Sequence, residues 1–230
     1  YELNTLIILF CQAQSHYNML NKFAFNYKYN KSKIYDYNYD LNYNDLNTLP
    51  KNSLITIYYN SNKIKYIFRI SDIINIINNS LCYMDNFVFN PIEIKNPYNN
   101  IPFNLSTLYT IYFKIKTSSF IMPHLFHLYF LNNFNIKKFF IYNESIIKRE
   151  TFKIYLQNAN MEEKILLIKD MLVYFSEYIY IVYDHLDKNN LLLFESCIND
   201  YLFLKYSNNI LLIQIAKENI FNKFINIKYN

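Results

Sequence analysis

Three residues raise the first chemical question. Asp85, Glu93 and Lys95 fit the loose pattern D-x(n)-E-x-K. In such sites two carboxylates hold Mg²⁺, and the lysine steadies the attacking water or the transition state of phosphodiester cleavage. Pro91 falls where the strand carrying Glu93 and Lys95 should run, and proline cannot donate to a ladder. The trio is therefore read as a loop with solvated charges, and a metal-dependent nuclease ranks third among the functional readings. His124 and His127 stand three apart, which puts both imidazoles on one helix face. No third ligand follows at a familiar zinc spacing, so they are read as ordinary helix residues. Asp184-His185 and Cys197 offer a Cys–His pair, with nothing to mark an oxyanion hole. No catalytic, cofactor or metal site is assigned, and no turnover is expected.

Composition narrows the chemistry further. The 230 residues contain no Gly. Phosphate-cradling loops, dinucleotide fingerprints, the nucleophile elbow and the kinase loop all need glycine. The consensus calcium loop needs it at its sixth position. Turns and helix ends that want positive φ must use the next most tolerant residue, Asn. Asn, Ile, Tyr, Lys and Phe make up more than half of the chain, and Trp is absent. All five can be encoded by A and T alone, so an AT-rich genome is the expected source.

The net charge of +5 is spread along the chain, and only Arg69 and Arg149 are arginines. Lysine lacks the planar fork that grips phosphate with two parallel bonds. Tyr and Phe interleaved with Lys would nonetheless suit stacking on single-stranded nucleic acid. Cys11, Cys82 and Cys197 are odd in number and far apart. That pattern fits a reducing compartment, with each thiol expected to be a small buried hydrophobe. No signal peptide is evident. The chain opens on Tyr1, so an upstream piece is expected. The charge-free stretch Thr117–Ile136 is long enough to span a bilayer, but it carries Pro123, two histidines and three asparagines. It is read as a core helix, with no transmembrane segment.

The elements that would position these residues follow from hydrophobic period and turn chemistry. Residues 1–24 have helical spacing. Residues 26–48 alternate Tyr with Asn, Lys and Asp, and read as an edge strand followed by a loop or as a poorly packed linker. Leu54–Tyr59 and Ile64–Ile70 form a predicted β-hairpin across Asn60–Lys63, with Asn serving for Gly. Ser71 is the expected N-cap of a short helix, and 90–105 is a proline-punctuated loop. From Ser106 the pattern is helical: 106–116, 122–131, 134–142, 144–157, 161–186 capped by Asn160, about 191–206, and a last helix ending near Phe224. Turns fall at Asn189-Asn190 and Asn208-Asn209. The expected fold is α+β and predominantly α-helical. Residues 1–48 form a helix and low-complexity segment, 49–105 a hairpin, short helix and loop, and 106–230 a helical bundle.

Asn96, Pro97, Tyr98 and Phe103 are read as a structural joint. Asn96 caps the turn, Pro97 fixes φ, and the two rings bury beside the 106–116 or 71–80 helix. With Leu108, Tyr109, Ile111 and Tyr112, these residues resemble a segment of uncharacterised proteins of large nucleocytoplasmic DNA viruses, the mimivirus-like group. The hairpin and helix before it are similar as well, so the likeness covers roughly 49–150. Asn99 stands where those proteins commonly have Thr. The resemblance implies a viral origin and brings no activity with it. The expected function is a non-enzymatic, virus-encoded structural or protein-interaction protein, without cofactor or small-molecule substrate. The alternative is a nucleic-acid-associated protein such as an AT-rich organellar ribosomal subunit. An intracellular reducing compartment is expected, host cytoplasm or virion, with an organelle as the alternative.

Overall fold

The computed structural model describes residues 2–35, 39–41, 43–59, 62–176 and 191–229. The protein is a mainly helical α+β chain with two small sheets. It divides into two compact units: one of residues 1–76 and 104–122, the other of residues 77–103 and 123–230.

The first unit opens with α1 (Glu2–Lys31). Of the segment 26–48, the described residues follow the edge-strand alternative at its start. Helix α1 runs on to Lys31, and β1 (Lys33–Ile34) then adds a parallel edge strand to β3 (Ile64–Arg69). Strand β2 (Leu54–Tyr59) pairs antiparallel with β3, so the sheet order is β1-β3-β2. Tyr66 and Phe68 on β3 and Ile55 and Ile57 on β2 are buried, as alternation dictates. Asn60 and Ser61 of the hairpin turn lie outside the described residues. The left-handed position observed there is Lys63, at φ 56°, and Asn62 assists by accepting a bond from the Ile64 N–H. Asparagine thus serves the turn through its side chain.

Helix α2 (Ile70–Leu81) starts one residue before the expected cap, so Ser71 lies inside its first turn. Helix α3 (Leu105–Lys116) is capped by Asn104, which accepts from the Thr107 N–H at 2.8 Å. It buries Leu108, Ile111, Tyr112 and Ile115, a 3.6-period stripe.

The second unit holds a hairpin that the proline-rich region concealed. β4 (Met84–Asp85) and β5 (Val88–Phe89) are joined by Asn86 and Phe87, both left-handed at φ 47° and 62°. That is the type I′ signature, which normally selects Asn-Gly. Phe87 holds the glycine position because its ring stacks on Tyr206, with centroids 4.6 Å apart and planes 9° apart. Asn133-Phe134 repeats the device at φ 54° and 52°, with Phe134 buried against Phe126 and Tyr129. In a chain without glycine, aromatic packing offsets backbone strain of about 1–2 kcal/mol per residue.

The stretch 117–136 is not one core helix. Helix α4 (His124–Leu131) occupies eight residues, with Pro123 as its N-cap and Asn132 as its C-cap. Helix α5 (Ile136–Asn158) merges the two expected helices across a kink at Asn143, whose φ is −125°. The Asn143 side chain donates to the Phe139 carbonyl at 2.9 Å there. Helix α6 (Met161–Tyr174) carries a full capping box between Asn160 and Glu163. Tyr174 is its last residue, with Phe175 as C-cap. The rest of the expected helix and the Asn189-Asn190 turn lie outside the described residues. After a 3₁₀ turn at Glu195–Cys197 come α7 (Ile198–Tyr206) and α8 (Ile210–Tyr229), the latter longer than its pattern suggests. Phe152, Ile168, Met171, Phe175, Leu202 and Ile220 anchor this unit's core.

Candidate functional site

Asp85 lies on β4, exposed, and takes a bond from its neighbour Asn86 at 3.1 Å. Glu93 is exposed, and Lys95 sits at an isolated bridge to Pro102. Among the described residues no hydrogen bond or ion pair joins any two of the three, and no group of three or more His, Cys, Asp or Glu could hold a metal ion. The effect of Glu93 is elsewhere. Burial first, and the Glu93 charge second, push the Tyr129 phenol up to about 12.

His124 is exposed, while His127 is half-buried and stacks on Phe130 with planes 16° apart. Asp184 and His185 lie outside the described residues. Cys197 is fully buried, and burial raises its thiol above the ordinary value, the opposite of what a nucleophile needs. The expectation that all three thiols are buried holds for Cys197 alone. Cys82 is half-buried, with burial pushing it up to about 11, and Cys11 is exposed on α1.

The loop over 96–103, expected to be a joint, closes on itself through its own hydrogen bonds. Asn96 is fully buried, and its side-chain oxygen accepts from the Tyr98 N–H at 3.0 Å across Pro97. Its backbone N–H donates to the Ile101 carbonyl, and Asn100, left-handed at φ 55°, donates to the Asn96 carbonyl. The Phe103 N–H returns to the Ile94 carbonyl at 2.9 Å. Phe103 is buried, Tyr98 half-buried and Pro97 exposed.

Two polar clusters have no signature in the sequence. In the first unit Asp40 is buried and accepts from Arg69 Nη1 at 2.8 Å and from the Asn44 backbone and side chain at 2.7 and 2.9 Å. Asp72 is also buried, with Oδ2 unpartnered. Burial raises its carboxyl above the ordinary value against an opposing bond from the Leu41 N–H. These groups pin the 40–45 turn to the β3–α2 junction. In the second unit a cleft of about 500 Å³ opens at the α5 kink, beside Glu144, Lys148 and Asn208. Lys148 Nζ is already engaged there, donating to the Tyr206 carbonyl at 2.8 Å and pairing with Glu144 at 2.7 Å.

The most unusual surface is α1 itself. Every residue from 3 to 28 is exposed. Its large apolar side chains, from Leu3 to Tyr27, keep 51% to 71% of their surface in solvent. An apolar helix is ordinarily buried. Its C-terminal end is tied down: Phe25 and Tyr29 meet Tyr58 edge-on, and Lys65 lies 4.5 Å from the Tyr29 ring centre. No helix among the described residues is long and apolar enough to cross a membrane. No family model, curated protein or solved structure matches this chain.

Proposed function

We propose that this is a non-enzymatic protein-interaction or structural protein, encoded by a large DNA virus, and that α1 is the element it presents to its partner. The exposed apolar length of α1 carries the reading. Monomers rarely expose contiguous apolar patches larger than a few hundred Å², and larger ones mark interaction sites; a 30-residue helix exposed over 3–28 belongs with the latter. The association with nucleic acid has less behind it. Several of the interleaved aromatics, Tyr112 and Tyr201 among them, are core residues. Lys148, Lys153, Lys164, Lys205 and Lys223 are neutralised by neighbouring carboxylates. The viral assignment rests on the segment around Asn96–Tyr112 and on composition. The genes flanking its coding sequence test it.

Cys11 offers a handle for the interaction. A benzophenone attached there and illuminated in the native assembly should link α1 to protein. Linkage to RNA or DNA in its place would favour the alternative, and no linkage at all would remove the reading.

A further inference from the structure

The proposed interaction leaves open what covers α1, and its sequence has a period that answers this. Positions 3, 6, 10, 13, 17, 20, 24 and 27 are all Leu, Phe, Tyr or Ala. The steps alternate three and four throughout, a heptad a/d seam unbroken over four repeats. The seam is exposed along its whole length. Phe25 and Tyr29, the residues that dock α1 on the sheet, fall at b and f of the same heptad. Position f lies opposite the a/d edge, so docking aims the seam away from the unit.

We propose that α1 pairs with α1 of a second copy of this chain as an antiparallel coiled coil centred on Ser15. This inference rests on the interaction reading above. Side-chain volume selects the direction. In a parallel, in-register pair, Ala13 would face Ala13 between crowded Phe10 and Tyr17 layers, and Ala24 would face Ala24 between Leu20 and Tyr27 layers. In the antiparallel register whose paired numbers sum to 30, Leu3 meets Tyr27, Leu6 meets Ala24, Phe10 meets Leu20 and Ala13 meets Tyr17. Each alanine then faces a large side chain, the alternation a close-packed seam requires. The area suffices. At roughly 150 Å² for each seam aromatic and about 100 Å² for each leucine, pairing removes on the order of 800 Å² per helix, the share of one partner in a standard stable interface.

Sedimentation equilibrium of the whole chain tests this. The wild-type chain is expected to be a dimer at micromolar concentration. Leu20→Asp puts an unpaired charge in the seam and should weaken dimerisation by ~100-fold or more. Leu20 is 68% exposed in the single chain, so this change leaves the fold intact. Ser15→Asp adds the same charge on the opposite face and should leave the dimer unchanged. Direction is read separately with Gln14→Cys in a Cys11→Ser background. The two Gln14 positions share one flank of an antiparallel pair and lie on opposite flanks of a parallel one. A short bis-maleimide should therefore link the copies. A monomeric wild type, or a dimer indifferent to Leu20→Asp, overturns the proposal. So does a chain that stays monomeric and binds vesicles of anionic lipid through α1, and so does a dimer that the Gln14→Cys reagent fails to link. If the wild type is monomeric while Cys11 still cross-links to another protein, self-pairing fails and the interaction reading survives.

Discussion

Lys148 divides cleanly into an ammonium and a stem, and the two should contribute very differently to stability. The residue is 5% exposed, on α5, and its Nζ caps the C-terminal carbonyl of α7 at Tyr206. The ammonium also lies 5.5 Å from the Phe89 ring centre. A hydrogen bond from a charged donor contributes about 1.5–3 kcal/mol. The contact with Phe89 adds about 0.5–1 kcal/mol. The Glu144 pair adds no more than about 0.5 kcal/mol, because Glu144 keeps over a third of its side chain in solvent. Against these stands the desolvation of the ammonium, several kcal/mol, so the charged head contributes only about 1 kcal/mol net. The four buried methylenes contribute about 0.8 kcal/mol each, roughly 3 kcal/mol together. Lys148→Met keeps most of the stem and should cost about 1 kcal/mol. Lys148→Ala should cost about 3–4 kcal/mol, a large part of the roughly 5–15 kcal/mol of a typical domain. Urea unfolding read by hydrogen exchange on α7 follows this unit alone, which matters in a chain of two units. Equal losses for Met and Ala would refute the division, and so would a harmless Lys148→Ala.

Other expectations follow from the same geometry. Desolvation pushes Asp170 up, but bonds from Lys205 and from the Tyr201 hydroxyl at 2.6 Å outweigh it and hold the carboxyl below its ordinary value. A depressed carboxyl stabilises the fold above its unfolded value and loses that contribution as pH falls through the folded one. Asp170→Asn should therefore flatten the acid limb of the stability–pH curve, and an unchanged limb would contradict the assignment. Asp72 has the opposite sign: its raised carboxyl costs stability above its folded value and recovers it as pH falls. Asp72→Asn should raise the midpoint of thermal unfolding at pH 7 and leave it unchanged near pH 3. Lys63→Gly relieves a left-handed lysine at φ 56° and should stabilise the hairpin by up to about 1 kcal/mol, visible as a higher midpoint in the same melt. Thiol titration should find one fast residue, Cys11, with Cys82 slow and Cys197 inert until the chain unfolds. Two fast thiols in the folded protein would count against the described core.

The elements that were legible in the sequence are those with strong local signals. The 54–59 and 64–69 strands alternate cleanly, and Asn160 with Glu163 announces a helix start that the structure places there. What stayed hidden depends on packing that no local rule carries. Asn86-Phe87 takes glycine's conformation with its ring stacked on the sequence-distant Tyr206, and Asn133-Phe134 does so with its ring packed on Tyr129 of the preceding helix. Asp40 and Arg69 are 29 residues apart in sequence, and no spacing motif joins them. The kink at Asn143 was legible as a break between two helices, whereas the continuity of α5 across it was not. In α1 the helix was legible, whereas the exposure of residues 3–28 was not: an apolar period predicts a buried face without saying what buries it.

Amide hydrogen exchange across residues 3–28, measured on the full chain over a wide range of protein concentration, tests the role of α1 most directly. A helix exposed to solvent over residues 3–28 opens readily in water, so strong protection there calls for a partner. The account predicts that protection of these amides rises with concentration in step with dimer formation, while amides of β2, β3 and α7 stay constant. Protection of α1 that is already complete at the lowest concentration and does not change, or that never develops at the highest, would contradict it.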